Sequence, residues 1–272
     1  MPRSAFGNKV LTKTYRWNPM IARMTRWPLV GKFIDHWLFH GDDMIFLTRD
    51  KLIPVGQAVD TGTQLCLPSQ VVEHFINQTD YHFIMNKCIC REGLQCKHYP
   101  RDLGCLFLGE AAVKINPALG RRVSRAEALE HARKCREAGL VHLIGKNKLD
   151  EVWLDVGPGA KLLTICNCCP CCCIWKAMPL LNPEISRKVT RLPGLKVFVN
   201  DQCSGCGACA EKVCFAGAIK MNDQVAVIDE TMCKGCGRCV EVCDSKAIEI
   251  SFADDQFLKN AVERIAKAVD LT

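Results

Sequence analysis

Twenty of the 272 residues are cysteine, and all but Cys66 and Cys135 fall in three groups whose spacing suits metal ligation. The most regular group is Cys203, Cys206, Cys209 and Cys214, then Cys233, Cys236, Cys239 and Cys243. It reads C-x2-C-x2-C-x4-C and, about thirty residues later, C-x2-C-x2-C-x3-C, a doubled pattern. A C-x2-C-x2-C run can wrap three thiolates round one [4Fe–4S] cubane, provided the backbone passes close to the sulfurs. Glycine, which adopts positive φ at little cost, stands at 205, 207, 235 and 237. The chemistry this spacing suits is cubane ligation; it is poor spacing for a four-cysteine zinc site or a disulfide framework.

The second group is Cys88, Cys90, Cys96 and Cys105, four thiols in eighteen residues. In an extended chain residues two apart share a face, so Cys88 and Cys90 can meet one metal centre together. Arg91, Lys97, His98 and Arg101 surround them and would stabilise thiolates. The third group is Cys166, Cys168, Cys169, Cys171, Cys172 and Cys173, six cysteines in eight residues. Alternation sends Cys168 and Cys169 opposite ways, and Pro170 breaks any helix, so one cubane does not account for all six. Some of these thiols serve a second centre, bridge two centres, or stay free for redox work. The ten thiols of the two groups suffice for two cubanes, a larger fused cluster, or one cubane beside a reactive dithiol. Catalytic candidates are Cys169, Cys171 and His98; Arg91 and Lys176 are further sources of charge or protons. Cys66 and Cys135 read as core residues.

The doubled run at 203–243, with its flanks, resembles a two-cluster bacterial-type ferredoxin domain over about residues 195–250. The flanks Val197–Val199, Ala218–Lys220, Val225–Ile228 and Ala247–Ile250 read as short paired strands round each cluster loop. In that family the fourth cysteine of each run ligates the other cluster. The resemblance therefore implies one cubane on Cys203, Cys206, Cys209 and Cys243, and the other on Cys233, Cys236, Cys239 and Cys214. Two departures stand out: the first run has four residues before its last cysteine, and Phe215 and Asp244 replace the usual prolines. Separately, the C-x-C tripeptides 88–90, 166–168 and 169–171 resemble those of the ferredoxin–thioredoxin reductase catalytic subunit, where a cubane adjoins a redox disulfide. That likeness is confined to the tripeptides.

The elements that must position these residues read as α+β. The chain divides into a basic aromatic segment (1–40), a cysteine-rich metal-cluster domain of α/β type (41–194), a ferredoxin domain (195–252) and a C-terminal helix (253–272). Strands are expected at 45–47, 52–55, 81–85, 141–144, 152–156 and 162–165. Helices are expected after Pro68, over 121–139 with a Ser124/Glu127 capping box and a Gly139 stop, and over 254–269.

Net charge is +7 and is unevenly spread. Residues 1–32 hold Arg3, Lys9, Lys13, Arg16, Arg23, Arg26 and Lys32 and no acid. Trp17, Met20, Trp27, Leu29, Phe33 and Trp37 are interleaved with them. The favoured reading is a segment packed on its own domain; docking of an acidic redox partner comes next, and an anionic membrane surface after that. Nucleic-acid binding is not expected, and no nucleotide-binding glycine motif occurs. No signal peptide or apolar run of spanning length is expected, and cysteine richness without secretion points to metal clusters in a reducing cytoplasm. The combined expectation is an iron–sulfur oxidoreductase of anaerobic metabolism, in which two C-terminal cubanes relay electrons to an N-terminal cysteine-held site. A non-catalytic electron-transfer subunit and a thiolate metal- or cluster-handling protein are the alternatives.

Overall fold

The computed structural model describes residues 12–52, 67–211, 213–253 and 256–271. Two short helices, α1 (Asn18–Met24) and α2 (Pro28–Leu38), open the described chain. Each begins with proline in its first two positions, where the missing N–H costs nothing. There follow β1 (Asp43–Phe46), α3 (Pro68–Gln78), β2 (His82–Met85), the single-turn α4 (Ile89–Gly93) and β3 (Leu106–Leu108). Then come β4 (Gly120–Arg122), α5 (Arg125–Glu137), β5 (Val141–Lys146), α6 (Lys148–Leu154), β6 (Leu163–Cys168), α7 (Pro183–Arg187) and β7 (Val189–Arg191). These strands form one seven-stranded sheet of order β4-β2-β3-β6-β5-β1-β7, antiparallel except for β1 with β7.

The sheet carries apolar residues on both faces. Helices α3 and α5 cover one, with Val71, Val72, Phe75, Ile76, Ala128 and Ala132 buried against Ile45, Ile144 and Ile165. Ser124 caps α5 as expected: its hydroxyl accepts from Glu127 N at 3.3 Å, and Glu127 Oε2 accepts from Ser124 N at 2.9 Å. The helix stops at Gly139, φ +78°.

The C-terminal part holds β8 (Leu195–Val199), α8 (Ala208–Glu211), β9 (Ile219–Asn222), β10 (Val225–Ile228), α9 (Arg238–Glu241) and β11 (Ile248–Phe252). The expected flanking strands pair as two antiparallel hairpin-like ribbons, β8 with β11 and β9 with β10. Helix α10 (Phe257–Ala268) buries Phe257, Leu258, Ala261 and Ile265, and Arg264 pairs with Asp43 at the start of β1. The whole is α+β.

Of the strand expected over 152–156, residues 152–154 belong to α6 instead, and Asp155 ends that helix in the left-handed conformation. Asn147 caps α6 by accepting from Leu149 N at 3.2 Å, and Asp150 is held within it by Trp153 Nε1 at 2.5 Å and Thr164 Oγ1 at 2.9 Å. Side-chain capping thus overrides the β-propensity of Val152 and Trp153. The strand expected at 52–55 starts in a 3-10 turn, Asp50–Leu52, and its remainder lies outside the described residues, as does Cys66. Cys135 is buried in the core as expected.

The N-terminal segment is only partly packed on the rest. Ala22, Thr25, Ile34 and Phe39 are buried, and Arg26 Nη2 donates to Pro179 O at 2.6 Å. Trp17, Met20, Ile21, Trp27, Leu29, Phe33 and Trp37 are exposed.

Candidate metal centres

The two cysteine runs of the C-terminal part line two separate cavities. Cys203, Cys206, Cys209 and Cys243 line one; Cys214, Cys233, Cys236 and Cys239 line the other. Each cavity therefore takes three thiols from one run and the last thiol from the other. Backbone N–H groups point at the returning cysteines: Ala218 N donates to Cys214 Sγ at 3.3 Å and Ala247 N to Cys243 Sγ at 3.2 Å. Gly205 has φ +72°, and a Cβ there would lie 2.5 Å from Gln224 O, so only glycine lets β10's approach and the cysteine loop coexist. Burial pushes Cys236 up to about 11; a bound metal would supply the positive charge such a thiolate lacks. Cys206 is exposed, whereas Cys209 and Cys239 are buried. Lys212, in the longer spacer of the first run, lies outside the described residues.

The ten N-terminal thiols divide into four and six. The four are Cys96, Cys169, Cys171 and Cys172, whose sulfurs all lie within 4.8 Å of one another. Cys96 Sγ is 3.5 Å from Cys171 Sγ, and Cys171 Sγ is 3.6 Å from Cys169 Sγ. Burial raises Cys171 to about 12. On Cys96 burial is outweighed by the backbone N–H groups of His98 and Tyr99 and by the Cys172 and Cys171 thiols, which draw it below the usual thiol range.

The six are Cys88, Cys90, Cys105, Cys166, Cys168 and Cys173. Cys166 and Cys168 project two apart from β6, and the register that sets Leu106 opposite Ile165 brings Cys105 beside Cys166. Cys173 returns through the turn at Pro170, its sulfur 3.2 Å from Cys168 Sγ. Cys88 and Cys90 meet through their side chains, but not from an extended segment as expected: Cys88 immediately precedes α4 and Cys90 lies in its only turn. The hydrogen bond from Cys90 holds Cys88 down to about 7 against burial, with help from Arg91. Cys168 is drawn well below the usual thiol range by Cys166 and Cys173, whose own thiols are raised. Cys168 and Cys169 do fall on different centres, as alternation requires. Cys96, by contrast, leaves its sequence neighbours for the other group.

Four residues other than cysteine tie these thiol groups together; of them the sequence singles out only Arg91. Arg91 is fully buried. It donates to Asn167 O at 2.6 Å and to Leu103 O, and it touches Cys169 of the four while its charge acts on Cys88 and Cys105 of the six. No carboxylate pairs with it among the described residues; the ionisable groups beside this buried cation are cysteine thiols, which become its counter-charge where they ionise. Arg238 lines the cavity of Cys233, Cys236 and Cys239, and its Nη2 donates to Cys168 O at 2.8 Å. Tyr15, buried, donates to Cys172 O at 3.2 Å and meets the Cys90 thiol. Asn167 holds the strand end between the two groups, with Nδ2 donating to Gly104 O at 2.7 Å and Oδ1 2.8 Å from His142 Nδ1. His98 and Lys176 are exposed.

A family model described as 4Fe-4S binding domain matches residues 226–249, the stretch that contains Cys233, Cys236, Cys239 and Cys243. A ferredoxin-type domain stands at the C-terminal end. No curated protein and no solved structure matches the chain. No helix among the described residues is long and apolar enough to cross a membrane. The cavities fit the iron–sulfur group that the family binds: four thiols each, N–H donors on the sulfurs, and glycine where a side chain would collide.

Proposed function

We propose that this protein is an iron–sulfur oxidoreductase of anaerobic metabolism, working in the cytoplasm, in which two ferredoxin-type cubanes feed a further cysteine-held iron–sulfur site in the N-terminal part. The observation that carries it is Arg238: one residue lines the Cys214/Cys233/Cys236/Cys239 cavity and hydrogen-bonds the carbonyl of Cys168 in the six-thiol group. Cubanes supply one-electron transfer when bound. The chain's own residues do the rest. Cys203, Cys206, Cys209 and Cys243 hold the outer group, and exposed Cys206 gives a donor protein access to it. Cys214, Cys233, Cys236 and Cys239 hold the inner one. Arg238 bridges the inner cavity to β6 by a covalent and hydrogen-bonded path, and Arg91 compensates negative charge at both N-terminal groups. Thr48 Oγ1 to Gly235 O at 2.6 Å and Lys234 Nζ to Ser186 O at 3.0 Å fix the two parts against each other.

Within the six-thiol group, four sulfurs satisfy a cubane and two remain as a dithiol. For the four-thiol group a second reading has its own support. Tetrahedral Zn–S bonds of about 2.3 Å place sulfurs about 3.8 Å apart, close to the 3.5 and 3.6 Å seen here. That favours a single tetrahedral ion at Cys96, Cys169, Cys171 and Cys172, a structural or metal-handling role. Reduced without oxygen, the protein is expected to show the EPR signals of its ferredoxin-type unit plus a further signal. The further signal should vanish in the Cys168→Ser/Cys173→Ser variant while the ferredoxin signals persist. A variant spectrum identical to wild type would remove the N-terminal site from the account.

A further inference from the structure

We infer that α1 and α2 seat this protein on an anionic lipid surface. The inference is independent of how the cysteines are metallated. Leu29, Phe33 and Trp37 recur every four residues along one side of α2, opposite the buried pair Gly31 and Ile34. Their exposures are 84%, 68% and 56%, far above what an apolar side chain packed on its own domain retains. Trp17, Met20, Ile21 and Trp27 extend the patch over α1 and the turn between the helices. Scattered singly, such residues would be unremarkable; here the Phe33 and Trp37 rings lie 6.3 Å apart, and Trp37 of α2 lines one groove with Ile21 of α1, which joins the two helices in one apolar surface.

Charge names the partner. Residues 12–34 carry Lys13, Arg16, Arg23, Arg26 and Lys32 and no acid, and the first acid, Asp35, is already paired with Lys188. Exposed Lys13, Arg16, Arg23 and Lys32 on the same segment as the exposed aromatic residues match an anionic headgroup layer above an acyl phase, and tryptophan favours that interface. Shape separates lipid from an acidic protein. The apolar side chains stand out from convex helices, so a protein partner would need a pocket for each, whereas a bilayer deforms round them. The patch also runs into an apolar groove of about 250 Å³ between the helices and the cysteine-rich part, lined by Ile21, Trp37, Trp153, Trp175 and Leu181 among others. Such a groove gives an acyl chain a place to lie.

The full chain, purified without oxygen, is to be sedimented with vesicles of phosphatidylcholine containing phosphatidylglycerol, and with pure phosphatidylcholine vesicles. Binding to the anionic vesicles is expected, weakened by high salt and absent or at least about tenfold weaker on the neutral ones. Leu29→Glu/Phe33→Glu should abolish binding, and Arg23→Glu/Lys32→Glu should weaken it by about tenfold or more. All four positions are exposed, and unchanged iron content in each variant shows that the fold is kept. No binding to anionic vesicles, or binding untouched by Leu29→Glu/Phe33→Glu, overturns the inference. So does a protein that ignores vesicles but loses an acidic redox protein on the same substitutions, because the patch is then a protein interface.

Discussion

At the scale of residues, the most informative side chain is Arg91. Burying a guanidinium without a carboxylate is costly unless anions surround it, and the ionisable groups beside Arg91 are cysteine thiols of both N-terminal groups. Its cation lowers the cost of adding negative charge there. Arg91→Gln removes the cation and should shift the midpoint potential of the N-terminal EPR signal downward, because the reduced, more negative state loses its counter-charge. The ferredoxin signals should stay in place. Arg91→Lys, which keeps charge but cannot reach both carbonyls, should recover part of the shift; an EPR redox titration in which neither variant moves would show that Arg91 is only a structural cation. Arg91 was visible in the sequence as a neighbour of Cys90, but nothing there told a solvated arginine from one enclosed by thiols. Tyr15 and Arg238 carried no signal at all, since their partners Cys172 and Cys168 lie 157 and 70 residues away.

At the scale of elements, legibility followed the locality of the cause. Helix α5 was readable because its cap is four residues long, and the structure forms that capping box. Ser124→Ala should cost about 1 kcal/mol locally and speed hydrogen exchange of the first-turn amides of α5 roughly fivefold, with little change elsewhere. Equal exchange in wild type and variant would show that packing of Ala128 and Ala132, not the cap, fixes this helix end. Helix α6 was misread because Val152, Trp153 and Val156 look like a strand, while the deciding contacts, from Asp150 to Thr164, come from β6. The strand flanks of the ferredoxin-type part were readable because each pairs across a short loop or closes the unit on itself. The four-and-six division of the N-terminal thiols was not. It depends on β6 lying between β3 and β5 and on Cys96 reaching a loop more than seventy residues away, while only the opposed facing of Cys168 and Cys169 could be read from alternation.

At the scale of the molecule, one exposed thiol, Cys206, marks the outer cavity, and Arg238 joins the cavity of Cys214 and Cys236 to Cys168, next in the chain to Cys169 of the four-thiol group. Sheet, hairpins and helix α10 exist in one continuous core: Leu195, Val197, Ile248 and Ile250 pack in the same cluster as Ile45, Ile144 and Phe257. That continuity suits the proposed relay, because packing and not a tether would then fix the spacing of the groups. The proposed lipid-facing helices lie on the same body, held to it by Tyr15, Thr25 and Arg26.

In the proposed function the N-terminal thiols hold iron–sulfur in addition to two ferredoxin-type cubanes. Iron and acid-labile sulfide per chain, measured on protein purified without oxygen, test it most directly. About twelve irons with matching sulfide are expected if the four-thiol group holds a single ion, and about sixteen if it too holds a cubane. About eight irons and eight sulfides, with the ten N-terminal thiols free to titrate, would contradict it.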